Sequence, residues 1–497
     1  MIFDFFKPQV EKPEELDLKF TAETLKKNAV SGVVVLAVRR ISVQLIQTLS
    51  TIILARILFP ETFGVFAIMV FIVEFLANLP SSGFMAAIIQ KKEKIKQADL
   101  STIFWTVLLV SVLFFLMLWM IAPQVANFYK LKVENGLTLT RLMALAIFLI
   151  NIRMISLAIL ERQIRYLRLS IIEGGELLII QTLAVLMAIK GFQIESLVVS
   201  YLVGKSLGTL AFYILSPFKL ALGFAKDSLA KFLGFALNYQ VYSLAYAVSG
   251  SIAPLYVGYI VGPAGTGYLT WAGGIGLLPW AFSELIAKVS FPVFSRIQND
   301  KRRLSSSVNY SLNLILMGVL PLTVILLFFA EPITNVVFTY KWLPAVWALR
   351  FFVLLSATVA VSSVAASLLI ACGEVRFVRN VSIAAAFCFW ILAFTLIPKI
   401  GFTGHPLAWF LGSAIQFLMI IKVRQIVKID YFRTILIYLF FAVVSTLPFW
   451  YVVKIFGNAF ELVAVLIAIV VVYLILVFLF RKNYVLFYLG QLKVFLK

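Results

Sequence analysis

The sequence predicts an all-α polytopic membrane protein with about fourteen membrane-spanning helices. Its residues are 62% hydrophobic, whereas a soluble globular domain is about 45–50% apolar. Apolar runs of about 20 residues, each long enough to cross the hydrocarbon core of a bilayer, recur along the whole chain. A membrane β-barrel would instead show alternating hydrophobicity in segments of about 10 residues. These observations exclude a soluble domain and a barrel.

The chain begins with residues 1–30, which are rich in lysine and are predicted to form a cytoplasmic segment on the membrane surface. No cleavable signal peptide is expected, because the first apolar run is long enough to span the membrane. The predicted spans are residues 31–58, 64–88, 102–122, 137–160, 171–189, 195–215, 233–261, 267–293, 309–330, 343–371, 380–397, 403–421, 433–453 and 460–480.

The distribution of lysine and arginine predicts the orientation of these spans. With the N-terminus in the cytoplasm, most of the 43 lysines and arginines fall in cytoplasmic segments. This arrangement predicts a multi-pass protein of a bacterial or archaeal cytoplasmic (inner) membrane with both termini in the cytoplasm. A net charge of +21 would indicate nucleic acid in a soluble protein. Here topology and lipid headgroups explain the charge, and no nucleic-acid partner is expected.

A weak internal repeat relates the two halves of the chain. The first turn between spans reads LFPETFGVFA, and the turn between the seventh and eighth spans reads VGPAGTGYLT. At one offset of 203 residues, Pro60 matches Pro263 and Gly64 matches Gly267. The repeat predicts two six-helix lobes, and two facing lobes are the architecture of alternating access. The predicted divisions are an N-lobe at 31–215, a cytoplasmic linker at 216–232, a C-lobe at 233–421, and a C-terminal helix pair with its tail at 422–497.

The first span carries ionisable and polar residues, which usually face a cavity or a partner when they lie in a bilayer. Arg40, Gln44 and Gln47 recur at helical spacing and share one face, which predicts that they line a wet cavity. Arg39 lies beside this face, where its long side chain would reach the cytoplasmic surface. The repeat favours Arg39 instead, because its offset matches Tyr242 with Arg39. Both arginines remain candidates for binding an anionic group, and the helical spacing favours Arg40.

The seventh span carries a second polar stripe, formed by Asn238, Tyr242 and Tyr246. Aromatic rings at such positions either bind sugar rings or pack against neighbouring helices. In a chain that is 15% aromatic, packing is the ordinary explanation. The sequence leaves both interpretations open.

Lys288 lies in the eighth span, in the opposite predicted lobe from Arg39 and Arg40, and two interpretations of it are open. Cations from both lobes would clamp one phosphate group, because arginine binds phosphate through a planar fork and lysine through a point charge. Alternatively, Lys288 pairs with Glu284, four residues earlier on the same helix.

Five further ionisable residues lie in the predicted N-lobe. Glu74 is near the middle of the second span, Arg153 is in the fourth, and Lys205 is in the sixth. Glu173 and Glu176 open the fifth span. We expect Arg153 to pair with Glu173 or Glu176 within the lobe. The alternative for these residues, and for Glu74 in particular, is binding of a coupling ion.

A glycine run in the eighth span, Gly273, Gly274 and Gly276, is followed by Pro279. Such a sequence lets a helix bend, which predicts a hinge. Membrane helices also use small residues for close packing, and the sequence does not decide between the two.

Residues for covalent or metal-dependent catalysis are missing from the sequence. His405 is the only histidine and is expected in an outer loop. Cys372 and Cys388 lie in or beside apolar helices and are too few for a zinc site. No phosphate-binding loop or nucleophile motif is present. We therefore expect a transporter rather than an enzyme, with no cofactor and no metal site.

The segment ARILFPETFGVFAIMVFIVEFLANLPSSGFMAAIIQKK at 55–92 resembles the polysaccharide transporter family of oligosaccharide flippases. That family belongs to the multidrug/oligosaccharidyl-lipid/polysaccharide exporter superfamily. The shared features are an A-R-x-L-x-P-x-x-F-G turn and a span that ends in G-F-x-x-A-x-I-Q. Residues 235–300 resemble the second-lobe counterpart of this hairpin. The resemblance implies a V-shaped two-lobe fold, export of a lipid-linked oligosaccharide, and cavity arginines at the location of Arg39 and Arg40.

Residues and resemblance together predict a flippase for cell-surface polysaccharide biosynthesis, of the kind that builds lipopolysaccharide or exopolysaccharide. It would move a polyprenyl-pyrophosphate-linked oligosaccharide from the cytoplasmic to the outer leaflet by alternating access. The alternatives are a cation-coupled multidrug extruder on the same fold and a membrane glycosyltransferase or polymerase. Short outer loops leave little room for the catalytic domain of an enzyme. The expected partners are the lipid-linked oligosaccharide, membrane lipids, and a polysaccharide polymerase or glycosyltransferases.

Overall fold

The computed structural model describes residues 42–496, apart from residues 92, 94, 130–134, 217, 219, 222, 251, 428 and 454–457. Within these residues, all regular secondary structure is helical. The predicted all-α class is therefore confirmed. The predicted N-terminal segment, Arg39 and Arg40 lie outside the described residues.

The helices, numbered in chain order, are α1 (Ser42–Ile57), α2 (Pro60–Gln90), α3 (Gln97–Phe128), α4 (Gly136–Ile152), α5 (Met154–Arg162), α6 (Tyr166–Ile189), α7 (Ile194–Leu215), α8 (Lys226–Gly250), α9 (Ala253–Val261), α10 (Pro263–Gly276), α11 (Leu278–Ile297), α12 (Lys301–Phe328), α13 (Ala330–Ile333), α14 (Val346–Ala371), α15 (Val375–Ile400), α16 (Gly404–Ser413), α17 (Phe417–Ile426), α18 (Tyr431–Val453) and α19 (Ala459–Leu496).

The described part of the chain contains 10 helices that are long and apolar enough to cross a membrane, or 11 if the bent pair α10–α11 forms one span. The protein is thus a multi-pass membrane protein, but the predicted number of fourteen spans is not confirmed. Part of the difference comes from α1, which is described only from Ser42. Another part comes from α15–α17, because the helical stretch Val375–Ile426 continues through the turn at Gly401, where φ is +69°.

By its internal contacts the chain divides into two compact units, with the boundary between Gly267 and Tyr268. The first unit includes α8 and α9, which the sequence analysis placed in the C-lobe. The predicted lobe boundaries stay a prediction. In the core of the first unit, Ile68 of α2 packs with Met143 and Ile147 of α4 and with Val198 of α7.

Within the first unit, α2 also packs closely against α8. A Cβ atom built on Gly83 would lie 2.2 Å from the carbonyl oxygen of Ala236, so the two backbones touch. The Ser82 hydroxyl donates a hydrogen bond to Oε1 of Gln240 at 2.6 Å. Small residues permit this close approach of membrane helices, and they explain why α8 belongs to the first unit.

Arg162 is one of the cations near the predicted cytoplasmic surface, yet its side chain is buried. Its guanidinium donates to the carbonyl oxygens of Ile88 at 2.6 Å, of Glu93 at 3.1 Å, and also of Lys91. The last carbonyls of a helix have no partner within it. Arg162 therefore fastens the end of α5 to the end of α2.

The second unit is built around α12. Its buried residues Leu312 and Val319 belong to one core with Leu368 of α14, Phe441 of α18 and Tyr473 of α19. The predicted C-terminal helix pair, α18 and α19, is thus packed into the second unit through large apolar side chains.

His405, expected in an outer loop, lies in α16 and is 3% exposed. The ring centroids of Phe352, Phe389 and Trp409 are 5.9, 5.6 and 5.8 Å from its imidazole. Helix α16 begins directly after the turn at Gly401, within the predicted span 403–421, and His405 in its first turn packs into an aromatic core.

Candidate functional site

Three charged residues form a buried cluster inside the first unit, which we call the charged cluster: Arg153, Glu176 and Lys205. The Glu176 carboxylate pairs with the Arg153 guanidinium and, at 2.8 Å, with the Lys205 ammonium. The side chains are 11%, 7% and 14% exposed, in the order named, so all three charges are removed from water. The sequence left Glu173 and Glu176 open as partners of Arg153, and the structure brings Arg153 to Glu176.

Local structure explains how the charged cluster fits between helices. Arg153 is the residue at which α4 ends and α5 begins. On α7, Gly208 follows Lys205 by one turn, and a Cβ atom there would lie 2.2 Å from Oε2 of Glu176. The missing side chain of Gly208 provides the space that the carboxylate occupies. Gly208 was not among the predicted site residues, although a glycine three residues from an intramembrane lysine lies on the same helix face.

Tyr201 joins the charged cluster to Glu74 of α2. The Tyr201 hydroxyl donates to Oε1 of Glu74 at 3.1 Å, and the Lys205 ammonium lies 5.2 Å from the Tyr201 ring centroid. Glu74 itself is exposed. A chain of polar contacts therefore leads from an exposed carboxylate on a membrane-spanning helix to the buried charges.

The polar stripe of the first span is only partly within the described residues. Gln44 and Gln47 lie in α1 and are half-buried. Arg39 and Arg40 lie outside the described residues, so the choice between them stays open.

The polar stripe of the seventh span lies on α8. Asn238 is exposed, and its amide donates to the carbonyl oxygen of Gly234 at 2.9 Å. Tyr242 and Tyr246 belong to the same helix, and their side chains lie outside the described set. Gln240, which accepts the hydrogen bond from Ser82, was not predicted because it lies off the face that the stripe defines.

Lys288 lies on α11 with its ammonium 3.7 Å from Oε1 of Glu284. This is the pairing that the sequence offered as one of two interpretations. The Lys288 side chain is nevertheless 64% exposed, and that of Glu284 is 39% exposed. Most of the Lys288 side chain is therefore not covered by other protein atoms.

The predicted hinge region contains a break in the helix. Helix α10 ends at Gly276 and α11 begins at Leu278, with a bend of 47° between them. Pro279 lies in the first turn of α11. Backbone N–H groups in the first turn of a helix have no intrahelical acceptor, so a proline is tolerated there. The Gly276 carbonyl oxygen accepts a hydrogen bond from the Ser356 hydroxyl at 2.8 Å, which satisfies a group beside the break.

The three glycines of this run have different surroundings. A Cβ atom on Gly276 would lie 2.5 Å from Cβ of Phe352, whereas one on Gly273 would meet the Phe352 ring at an ordinary 3.5 Å. Gly274 has nothing within 4 Å. Close packing therefore explains Gly276 but not Gly274.

This difference gives a testable pair of variants. We expect Gly276→Ala to lower the free energy of unfolding by about 1–3 kcal/mol, because the added methyl overpacks against Phe352. Gly274→Ala is expected to leave stability unchanged or slightly higher. Thermal unfolding of both purified variants in detergent measures the difference, and equal melting temperatures would contradict the packing explanation.

The matched turns of the internal repeat contact each other within the first unit. A Cβ atom on Gly64 would lie 1.7 Å from the carbonyl oxygen of Pro263, and one on Gly267 would lie 1.8 Å from that of Pro60. Each glycine thus packs on the proline of the other turn, which is a reciprocal contact. The repeat offset matched these residues but did not predict that they touch.

These features define a class of protein: a multi-pass helical membrane protein with polar and charged residues held between its helices. A family model described as "Polysaccharide biosynthesis protein" matches residues 53–347, which is more than half of the chain. The protein therefore belongs to this family of polysaccharide biosynthesis proteins. No curated protein sequence matches the chain.

Solved structures with the same fold include the lipid II flippase MurJ in an inward closed conformation. The TM-score to MurJ is 0.74 at 19% identity, covering 92% of this chain and 100% of MurJ. An inward-facing multidrug resistance MATE transporter of the MOP superfamily gives a TM-score of 0.56 at 15% identity, covering 78% and 97%. A MOP superfamily transporter from Pyrococcus furiosus gives 0.51 at 14% identity, covering 79% and 95%. The protein thus has the MOP-type transporter fold.

Proposed function

We propose that the protein is a flippase that moves a polyprenyl-pyrophosphate-linked oligosaccharide from the cytoplasmic to the outer leaflet by alternating access. The substrate would serve the synthesis of a cell-surface polysaccharide. The sugar and pyrophosphate would pass through a polar interior while the lipid tail stays in the bilayer. Membership in a polysaccharide biosynthesis family and the MurJ-like fold support this substrate class.

The observation that carries the proposal is the exposure of Lys288. This lysine lies nine residues before the end of α11, a distance of about 14 Å along the helix axis. A cation inside a span usually marks a binding pathway, and 64% exposure of its side chain leaves it accessible to a ligand. Lysine is a common ligand for phosphate. Lys288 would bind the pyrophosphate during its passage, and Arg40 or Arg39 of the first span are the other candidate phosphate ligands.

The membrane potential would assist this transport. Export of negative charge from a negative-inside cell is favourable by about 2.3 kcal/mol per charge per 100 mV. The pyrophosphate would gain this electrostatic energy as its charge crosses the membrane potential. Lysine and arginine side chains would pair with it during the passage.

We expect Arg40→Ala/Lys288→Ala to lower translocation of a polyprenyl-pyrophosphate oligosaccharide in proteoliposomes by about tenfold or more, because two contacts to the phosphates are lost. Lys301→Ala, which removes an exposed cation at the start of α12, is the matched control. Unchanged transport by the double variant would contradict the proposed binding of phosphate by these cations. Absence of transport by the wild-type protein would remove the flippase function itself.

A cation-coupled extruder is the second candidate, and the exposed carboxylate of Glu74 favours it. Acidic groups in a transport path hold organic cations. Efflux of a cationic dye from cells, abolished by Glu74→Gln, would support the extruder. Glycolipid transport without dye efflux would support the flippase.

A further inference from the structure

A groove of about 620 Å³ lies between α18 and α19 in the second unit. Leu436, Phe440 and Phe480 line its length, and two cations, Arg433 and Arg481, also line it. The apolar residues are 46%, 63% and 68% exposed, in the order named. The groove is therefore an apolar surface depression with two positively charged side chains in its lining.

The spacing of residues on α18 aligns the groove with the helix. Arg433, Leu436 and Phe440 recur at i, i+3 and i+7, which places them on one face. From Arg433 to Phe440 the helix rises about 10 Å. The charged group is at the start of α18, and the apolar positions continue from it toward the middle of the span.

Both arginines are available to an anion. Arg481 lies at a kink in α19, where φ is −129° and ψ is 28°, and its guanidinium lies 5.7 and 5.6 Å from the rings of Tyr438 and Tyr484. The Arg433 side chain is exposed. The Asp430 carboxylate accepts a hydrogen bond from the backbone N–H of Arg433 at 3.0 Å and thereby caps the start of α18. In the part of the chain that the structure describes, no carboxylate forms an ion pair with either guanidinium.

We propose that this groove binds an anionic phospholipid of the cytoplasmic leaflet. Its phosphate would lie between Arg433 and Arg481, because guanidinium groups match phosphate geometry. An acyl chain would cover Leu436, Phe440 and Phe480. A ligand for this surface needs both a phosphate and a long apolar chain, and the predicted cytoplasmic position of both arginines selects the inner leaflet. None of the residues that line the groove is among the proposed transport residues, and the test of the groove does not depend on the transported substrate.

Binding of phosphatidylglycerol to the purified full-length protein, measured by native mass spectrometry with phosphatidylcholine as the zwitterionic reference, tests the site. One arginine near an anionic lipid is worth about fivefold in affinity, and two about twenty-five-fold. We therefore expect Arg433→Gln to weaken phosphatidylglycerol binding about fivefold and Arg433→Gln/Arg481→Gln about twenty-five-fold. Phosphatidylcholine binding should not change.

Arg376→Gln/Arg424→Gln is the charge-matched control, because both side chains are exposed and neither lines the groove. Leu436→Trp keeps both arginines but fills the groove, and it is expected to weaken phosphatidylglycerol binding as well. sn-Glycerol 3-phosphate, which has the charge without the chain, should not compete. Equal losses in the control pair, full affinity in the groove variants, or competition by glycerol phosphate would each overturn the proposal.

Discussion

Replacing Gly64 with alanine is expected to lower the free energy of unfolding by about 3 kcal/mol, at the upper end of the range for overpacking substitutions. The reason is the position of the new methyl group, 1.7 Å from the carbonyl oxygen of Pro263 and 2.8 Å from the amide nitrogen of Gly267. These are backbone atoms, so no side-chain rotation relieves the clash. The first turns of α2 and α10 must move apart.

Gly174→Ala is the matched control, since Gly174 also lies in a membrane-spanning helix and has nothing within 4 Å. Its melting temperature should equal or slightly exceed that of the wild type. Gly267→Ala should resemble Gly64→Ala because the contact is reciprocal. The Gly64→Ala/Gly267→Ala double variant should lose less unfolding free energy than the sum of the two single losses, because both substitutions separate the same turns. A Gly64→Ala protein as stable as Gly174→Ala would contradict the contact.

The helical class could be predicted from the sequence because backbone groups in a bilayer must be hydrogen-bonded without water, and apolar runs of about 20 residues fit a helical span rather than a barrel strand. The number of spans is harder to predict. Helix ends depend on turns such as that at Gly401, through which helical structure continues from Val375 to Ile426. His405 was expected in a loop because it lies close to this turn, whereas in the structure it is buried in α16.

The site was predicted in part for a similar reason. A charged side chain inside a span usually pairs with a partner, and the sequence offered two nearby glutamates for Arg153. The way in which α6 and α7 face each other determines that Glu176 is the partner. It also determines the space at Gly208 and the bridge through Tyr201. Such contacts between helices leave no periodic signal in one sequence. The matched prolines and glycines of the repeat likewise predicted that the two turns are equivalent, but not that they contact each other.

Removing the central charge of the charged cluster should have the largest effect on stability. We expect Glu176→Gln to lower the free energy of unfolding by about 3–5 kcal/mol, because it leaves two buried cations without their shared carboxylate. Glu195→Gln is the control: Glu195 is a half-buried acid in the first turn of α7, and its loss should cost at most about 1 kcal/mol. Thermal unfolding of both variants in the same detergent measures the difference.

The triple variant Arg153→Met/Glu176→Leu/Lys205→Met separates charge from packing. Replacing a whole buried ion cluster with apolar residues of similar size is often neutral or stabilising, so the triple variant should be more stable than Glu176→Gln alone. If the cluster serves only stability, the proposed transport activity should return with the fold. Retained stability with lost transport would instead assign the cluster, and the Tyr201–Glu74 contact that extends from it, to the transport cycle. A Glu176→Gln protein as stable as Glu195→Gln would show that the carboxylate does not hold these cations.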